Sequence, residues 1–406
     1  MFRRCVTPIV FALLSTMWVV APPAAAERRL VAPPGTDVGI PFSPGMISGD
    51  LLFLSGAIGN EPGTLNVTGD AAAQTRKTLE NLQAILAAAK MDFSHVVDAN
   101  VFLADSRHFA EMGAVYKEFL GKALPARATV EADIAIPGAL TEIAMIAARP
   151  GVEVRRISPE GWPATGGAYS WGMLAGDTLF IAGMVSMDPA TGNLVTGDVT
   201  TQAKQIMQNV GAVLQAADMD YGDLVACSIF LADPRDYNAM NEAYGSFFKG
   251  IEAPARATVR ARLVNPALTI EIQCRGVRGG ERKVVAPAGY KPSGRPLSPA
   301  IQAGGRLFLS GMVGRGPDGY PPGVEAQTRV VLDRLKATLD AAGLGFADVD
   351  MSSVFLTDIR HYGIMNQVYR EVVGSPPPAR ATVGSPLMSP DALVEIQMTA
   401  SLESSD

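Results

Sequence analysis

The chain has 406 residues, 48% hydrophobic and 18% charged, with 34 Lys+Arg against 40 Asp+Glu and a net charge of −6. That length calls for several domains, and that apolar content excludes disorder. The acidic balance, without a long basic run, argues against a nucleic-acid partner, and three His and three Cys leave little for metal centres or proton relays.

At the N-terminus, Arg3 and Arg4 precede a mostly apolar run from Pro8 to Val20, and Ala24-Ala25-Ala26 supplies small residues for cleavage. This pattern predicts a signal peptide over residues 1–26. Its removal takes two Arg and no acid, which leaves −8. No later run approaches the ~20 apolar residues of a membrane span. The expectation is a secreted or periplasmic protein with no membrane partner after cleavage. Cys227 and Cys274 remain. Both sit in apolar, strand-like runs and are read as buried thiols, although an oxidising compartment permits a disulfide.

The rest of the chain is a threefold repeat. Pro125-Ala126-Arg127-Ala128-Thr129-Val130 returns at Pro254–Val259 and again at Pro378–Val383, offsets of 129 and 124 residues. A period of that length is a whole domain rather than a solenoid unit. In each copy the elements follow in one order. An apolar run ends at Leu54-Ser55-Gly56, Ile181-Ala182-Gly183 or Leu309-Ser310-Gly311. A helical pattern opens near Gln74, Gln202 or Gln327. Its stripe Thr75, Leu79, Leu82, Leu86, Ala89 has counterparts in register in the other copies, which predicts one face laid on a sheet. Val101–Asp105 recurs as Ile229–Asp233 and Val354–Asp358. A second helix is expected around Phe109–Leu120, Tyr237–Phe248 and Tyr362–Val373. Two strands close each copy. This order predicts an α+β fold, each repeat a mixed sheet with two helices on one face. Linkers rich in Gly, Pro and charge are expected at Pro150–Gly167 and Gly276–Gly294.

Two residue types stand out in apolar strands. Arg127, Arg256 and Arg380 sit near strand starts, where a guanidinium needs an anionic partner. Fifteen residues after each comes a Glu: Glu142, Glu271, Glu395. The Arg can bind a ligand carboxylate or a structural acid. The Glu can position a water as general base or neutralise the Arg. The residues leave both pairs of readings open. No phosphate loop, nucleophile elbow or HExxH motif is present in the sequence.

On the Pro-Ala-Arg-Ala-Thr-Val strand, the Ile-Glu-Ile-type strand, the Ser-Gly strand end and the Met-Asn-x-x-Tyr of the second helix, the chain resembles three fused copies of the RidA/YjgF family. The repeats are placed at 36–150, 160–278 and 285–402. The resemblance implies chorismate-mutase-like (YjgF-like) domains closing as an intramolecular pseudo-trimer, a monomeric chain with clefts between repeats. It implies hydrolysis of 2-iminopropanoate- and 2-iminobutanoate-type enamines and imines to 2-oxo acids and ammonia, with no cofactor and no metal. It implies that Arg127, Arg256 and Arg380 bind the substrate carboxylate and that Glu142, Glu271 and Glu395 activate water. Tyr169 matches the family's N-terminal Tyr, where the other copies have Phe42 and Leu297. Ser55-Gly56 and Ser310-Gly311 keep the Ser-Gly, replaced by Ala182-Gly183 in copy two. Asn241 and Asn366 keep the helix Asn, replaced by Gly113 in copy one. Two alternatives to an enzyme stand beside this: a small-carboxylate-binding module, and a structural pseudo-trimer with vestigial clefts.

Overall fold

A computed structural model describes residues 28–402; the predicted signal peptide lies outside the described residues. Each repeat carries two helices. They are α1 (Ala71–Ala88) and α2 (Phe109–Leu120), α3 (Val199–Ala216) and α4 (Tyr237–Gly245), and α5 (Val324–Asp340) and α6 (Tyr362–Val373). The long helices start three residues before the Gln expected to open them. Asp70 and Asp198 cap α1 and α3 by accepting from the Ala73 and Thr201 amides. The predicted stripe faces the sheet: Thr75, Leu79, Leu82 and Leu86 are fully buried.

In the first repeat the sheet runs Arg29–Val31, Gly45–Ser48, Leu51–Ile58, Thr141–Ala148, Val96–Leu103, Ala126–Glu131. All neighbours are antiparallel except the last pair, so the sheet is mixed. The other repeats copy this order. The expected linkers are not plain coil. Val154–Ile157 and Lys283–Val285 lie within them and pair antiparallel with the first hairpin strand of the following repeat. Their sequences carry little strand signal because backbone pairing to the hairpin edge makes them strands.

Alternation along the strands gives each sheet two apolar faces. In the first repeat Leu52, Leu54, Val101 and Ile143 pack under α1 and α2. Phe53, Phe102, Ala144 and Ile146 point the other way, into one cluster shared with Phe180, Phe230, Val259, Phe355 and Val383 of the other repeats. The strand that carries the repeated Arg pairs at its far end with the next repeat. Arg262-Leu263 pairs with Val130-Glu131, Leu387 bridges Val259, and Asp133-Ile134 pairs with Val383-Gly384. These contacts run from first to second, second to third and third to first, so the repeats close into a ring around the shared core.

One expectation is corrected. Cys227 and Cys274 form a disulfide rather than two free thiols. The strands Leu224–Leu231 and Ile270–Val277 run antiparallel in a register that sets the two residues directly opposite each other.

Candidate functional site

Three junctions lie where the Arg strand of one repeat meets the Ser-Gly or Ala-Gly strand end of the next, and cavities open at those of Arg256 and Arg380. The Pro before each Arg strand anchors the junction: the Ser170, Ser298 and Ser43 amides donate to the carbonyls of Pro125, Pro254 and Pro378 at 2.8, 3.2 and 3.0 Å. The fifteen-residue spacing does not pair an Arg with its own repeat's Glu. Glu271 of the second repeat accepts from the Thr129 amide at 3.3 Å, beside Arg127. Glu142 accepts from the Thr382 amide at 3.3 Å, beside Arg380. Glu395 accepts from the Thr258 amide, beside Arg256. Each cleft therefore combines an Arg from one repeat with a Glu from the next.

The Glu carboxyls press against the Ser-Gly turn. A Cβ on Gly56, Gly183 or Gly311 would sit 2.0 Å from the Oε1 of Glu142, Glu271 or Glu395. Glycine is required there because only a bare Cα leaves space for the carboxyl. Burial pushes Glu142 and Glu271 up to about 8 and Glu395 up to about 7, against weaker lowering by the Thr amide and the facing Arg. Among the described residues no ion pair within 4 Å joins any of the three Arg to a carboxylate. The salt-bridge reading of the Arg/Glu pair thus has no support in the geometry.

The Arg side chains are buried, at 2–5% exposure, and each keeps an Nη1 without a hydrogen-bond partner. A buried, unpaired guanidinium nitrogen costs free energy unless an acceptor arrives. Arg256 donates to Asn241 Oδ1 at 2.7 Å, and its own amide donates to Ser310 Oγ at 2.8 Å. Arg380 repeats this with Asn366 at 2.7 Å and Ser55 at 2.8 Å. Both guanidiniums lie against two tyrosine rings, Tyr237 and Tyr244 or Tyr362 and Tyr369. The structure thus unites Arg256, Asn241, Ser310, Gly311 and Glu395 in one cleft. It unites Arg380, Asn366, Ser55, Gly56 and Glu142 in another. Each Arg-Asn half thus meets a Ser-Gly half across the junction, while the N-terminal Tyr position holds Leu297 and Phe42 in these two clefts.

The Arg127 cleft differs. Gly113 offers no amide and Ala182 no hydroxyl at the positions of the Asn and Ser. Instead Arg127 lies against three rings, Phe109, Tyr116 and Tyr169, at 5.7, 5.1 and 5.7 Å. Tyr169 is in turn packed edge-on against Trp171, which packs on Trp162. Tyr169 therefore sits on the Arg, but at the junction that lacks the polar partners.

Sequence reasoning did not pick out Tyr237 and Tyr362, which open α4 and α6 and cover the Arg residues. The signal was present, since both stand at the same position of an aligned helix. The Thr129, Thr258 and Thr382 hydroxyls are buried beside the Glu and without a partner.

A family model described as Endoribonuclease L-PSP matches residues 36–149, 160–277 and 290–402. The rat 2-iminobutanoate/2-iminopropanoate deaminase is 38% identical over 123 residues, which cover 30% of this chain and 89% of that protein. Protein DfrA of Myxococcus xanthus is 43% identical over 98 residues, 24% of this chain and 74% of its own. A solved chorismatase, 18% identical, superposes with a TM-score of 0.50 over 76% of this chain and 93% of its own, a likeness of fold alone.

Proposed function

The chain belongs to the Endoribonuclease L-PSP family three times over, and from that membership we propose that it hydrolyses small 2-imino acids to 2-oxo acids and ammonia. Relatives of this family are 2-iminobutanoate/2-iminopropanoate deaminases, at 37–39% identity over single repeats. The clefts at Arg256 and Arg380 carry the reaction. One observation bears most of the weight: a buried Glu with no ion pair, held against a glycine, opposite a buried Arg with a free donor.

The Arg, fixed by its Asn, takes the substrate carboxylate through its unpaired edge. The Glu takes a proton from a water whose oxygen adds to the imine carbon. The C=N double bond becomes a C–N single bond on a carbinolamine. That proton passes to nitrogen; the Glu then carries the carbinolamine hydroxyl proton to nitrogen as well, and the C–N bond breaks so that ammonia leaves as the C=O forms. A carboxyl held near neutrality suits both steps, because it can accept and then return one proton at ordinary pH. The simple binding of a carboxylate needs no second acid beside the Arg.

The predicted signal peptide supports export as part of this reading, and the Cys227–Cys274 disulfide fits an oxidising compartment. The test is loss of freshly generated 2-iminopropanoate above the spontaneous rate, with a joint Arg256→Ala/Arg380→Ala variant as control. Catalysis by the wild type, lost in the variant, is the expected result. A wild type no faster than buffer would remove the proposal.

A further inference from the structure

The Arg380 and Arg256 clefts are unlike in size and charge. At Arg380 the cavity is about 230 Å³, and Arg380 and Glu142 are the charged residues on its walls; Ile40, Phe42, Ile58, Leu65 and Ile136 make much of the rest. At Arg256 the cavity is about 1210 Å³. Its walls carry Arg256, Lys291, Arg295, Arg315 and Arg334 against two acids, Glu395 and Asp391.

Three of these cations replace neutral residues at matched positions. Arg295 stands where the first repeat has Ile40: the Leu297 amide donates to Arg295 O and the Phe42 amide to Ile40 O, both at 2.8 Å. Arg315 stands at Asn60. Arg334 stands at Asn81: Arg334 Nη1 donates to Val313 O at 2.8 Å, as Asn81 Nδ2 donates to Ile58 O at 3.0 Å. The second repeat has Gly167, Met187 and Asn209 at these places, and the Asn209 amide reaches Met187 O at 2.8 Å. The backbone contacts are kept while the charge is changed. Fold alone therefore does not demand Arg at the three positions.

The bland reading is a solvated basic rim, since all three side chains are exposed. Solvated cations, however, need not face one cavity. Among the described residues none of the three makes an ion pair, so the rim leaves several like charges unneutralised around one space. Such a concentration of one sign in a concave wall focuses potential on an anion inside it. Arg295 also shares a ring with the carboxylate-binding Arg: its guanidinium lies 5.1 Å from the Tyr237 centroid and that of Arg256 lies 5.9 Å from it. One small diacid can span two guanidiniums placed on one side chain.

We propose that the cleft between the second and third repeats takes a dicarboxylic 2-imino or 2-oxo acid, with one carboxylate on Arg256 and the other among Arg295, Arg315 and Arg334. The cleft between the third and first repeats takes a monocarboxylic acid with an apolar side chain. This rests on the deaminase reading for the chemistry but not for the binding. One chain then holds two sites of different substrate class.

The test is binding, with 2-oxoglutarate and 2-oxobutanoate as stable probes, followed by calorimetry on the full chain. The key variant is Arg295→Ile/Arg315→Asn/Arg334→Asn, which installs residues the fold already accommodates in the first repeat. It should weaken 2-oxoglutarate about tenfold, the size expected of several partly exposed ion pairs together. In the same variant 2-oxobutanoate binding lost on Arg380→Ala should persist. The converse Ile40→Arg/Asn60→Arg/Asn81→Arg should add a second 2-oxoglutarate site. A wild type that binds 2-oxoglutarate no tighter than 2-oxobutanoate, or a swap that weakens both alike, overturns the assignment. Failure of imine turnover with this binding pattern intact would sink the catalytic reading and leave the assignment standing. Intact turnover with equal binding would do the reverse.

Discussion

At the residue scale the buried Glu carboxyls govern pH behaviour. Glu142 and Glu271 are pushed up to about 8 and Glu395 up to about 7, by burial above all. In the unfolded chain they ionise near the ordinary ~4.3. Below that value both states hold the proton and folding loses nothing. As pH rises towards 7–8 the unfolded chain releases these protons first, so stability falls across that window. Thermal melts at pH 5, 6.5 and 8.5 should therefore show a declining Tm, and a Glu142→Gln/Glu271→Gln/Glu395→Gln variant should decline less steeply. Equal slopes would mean the carboxyls are not held in their neutral form. The Arg side tests geometry instead. Arg256→Lys keeps a charge but loses the planar fork that meets Asn241 with one nitrogen and leaves another unpartnered. Carboxylate binding at that cleft should weaken substantially, and unchanged affinity would show that point charge is enough.

At the element scale the contacts between repeats are not identical copies. Asp98, on Val96–Leu103 of the first repeat, is buried and takes Arg275 Nη2 at 2.8 Å and Gln273 Nε2 at 2.9 Å from Ile270–Val277 of the second. The matched residues in the other repeats are Ala226 and Met351, so this acid marks one junction only. Arg275→Met would leave Asp98 buried with Gln273 but without a cation and should cost about 3 kcal/mol, while Asp98→Leu/Arg275→Met should recover much of it. Denaturant unfolding measures both; a single variant as stable as the wild type would show the pair is not holding the junction. Much of each repeat was legible in sequence, because the stripe from Thr75 to Ala89 and the repeated Arg strand are local patterns. The partnership of Glu142 with Arg380 was not, since those residues lie 238 positions apart and join through ring closure. The Cys pair was missed for a related reason: register between two strands 47 residues apart cannot be read from either strand. Arg295, Arg315 and Arg334 follow no local period, and only the folded cleft gathers them.

At the scale of the whole molecule, covalent linkage replaces assembly. Phe53, Phe102, Phe180, Phe230 and Phe355 share one core, so each repeat leaves an apolar face that its own helices do not cover. The tether keeps the covering neighbours at high effective concentration. The chain should sediment and scatter light as a single compact chain at all accessible concentrations. A chain that associates into threes, or one whose repeats are strung out with separate melts, would contradict the closed ring. Closure also lets three clefts diverge independently, which identical subunits cannot do. The Arg127 cleft has lost its Ser and Asn, the Arg380 cleft is small and apolar, and the Arg256 cleft is wide and basic. The claim that binds these observations is that buried Glu residues turn carboxylate clefts into imine hydrolases. Its most direct test is the initial rate of 2-iminobutanoate loss with wild type and with Glu142→Gln/Glu271→Gln/Glu395→Gln, each checked for 2-oxobutanoate binding. The account predicts a rate lowered ~100-fold or more, as loss of a general base brings, with affinity little changed. A triple variant that keeps the wild-type rate would contradict it.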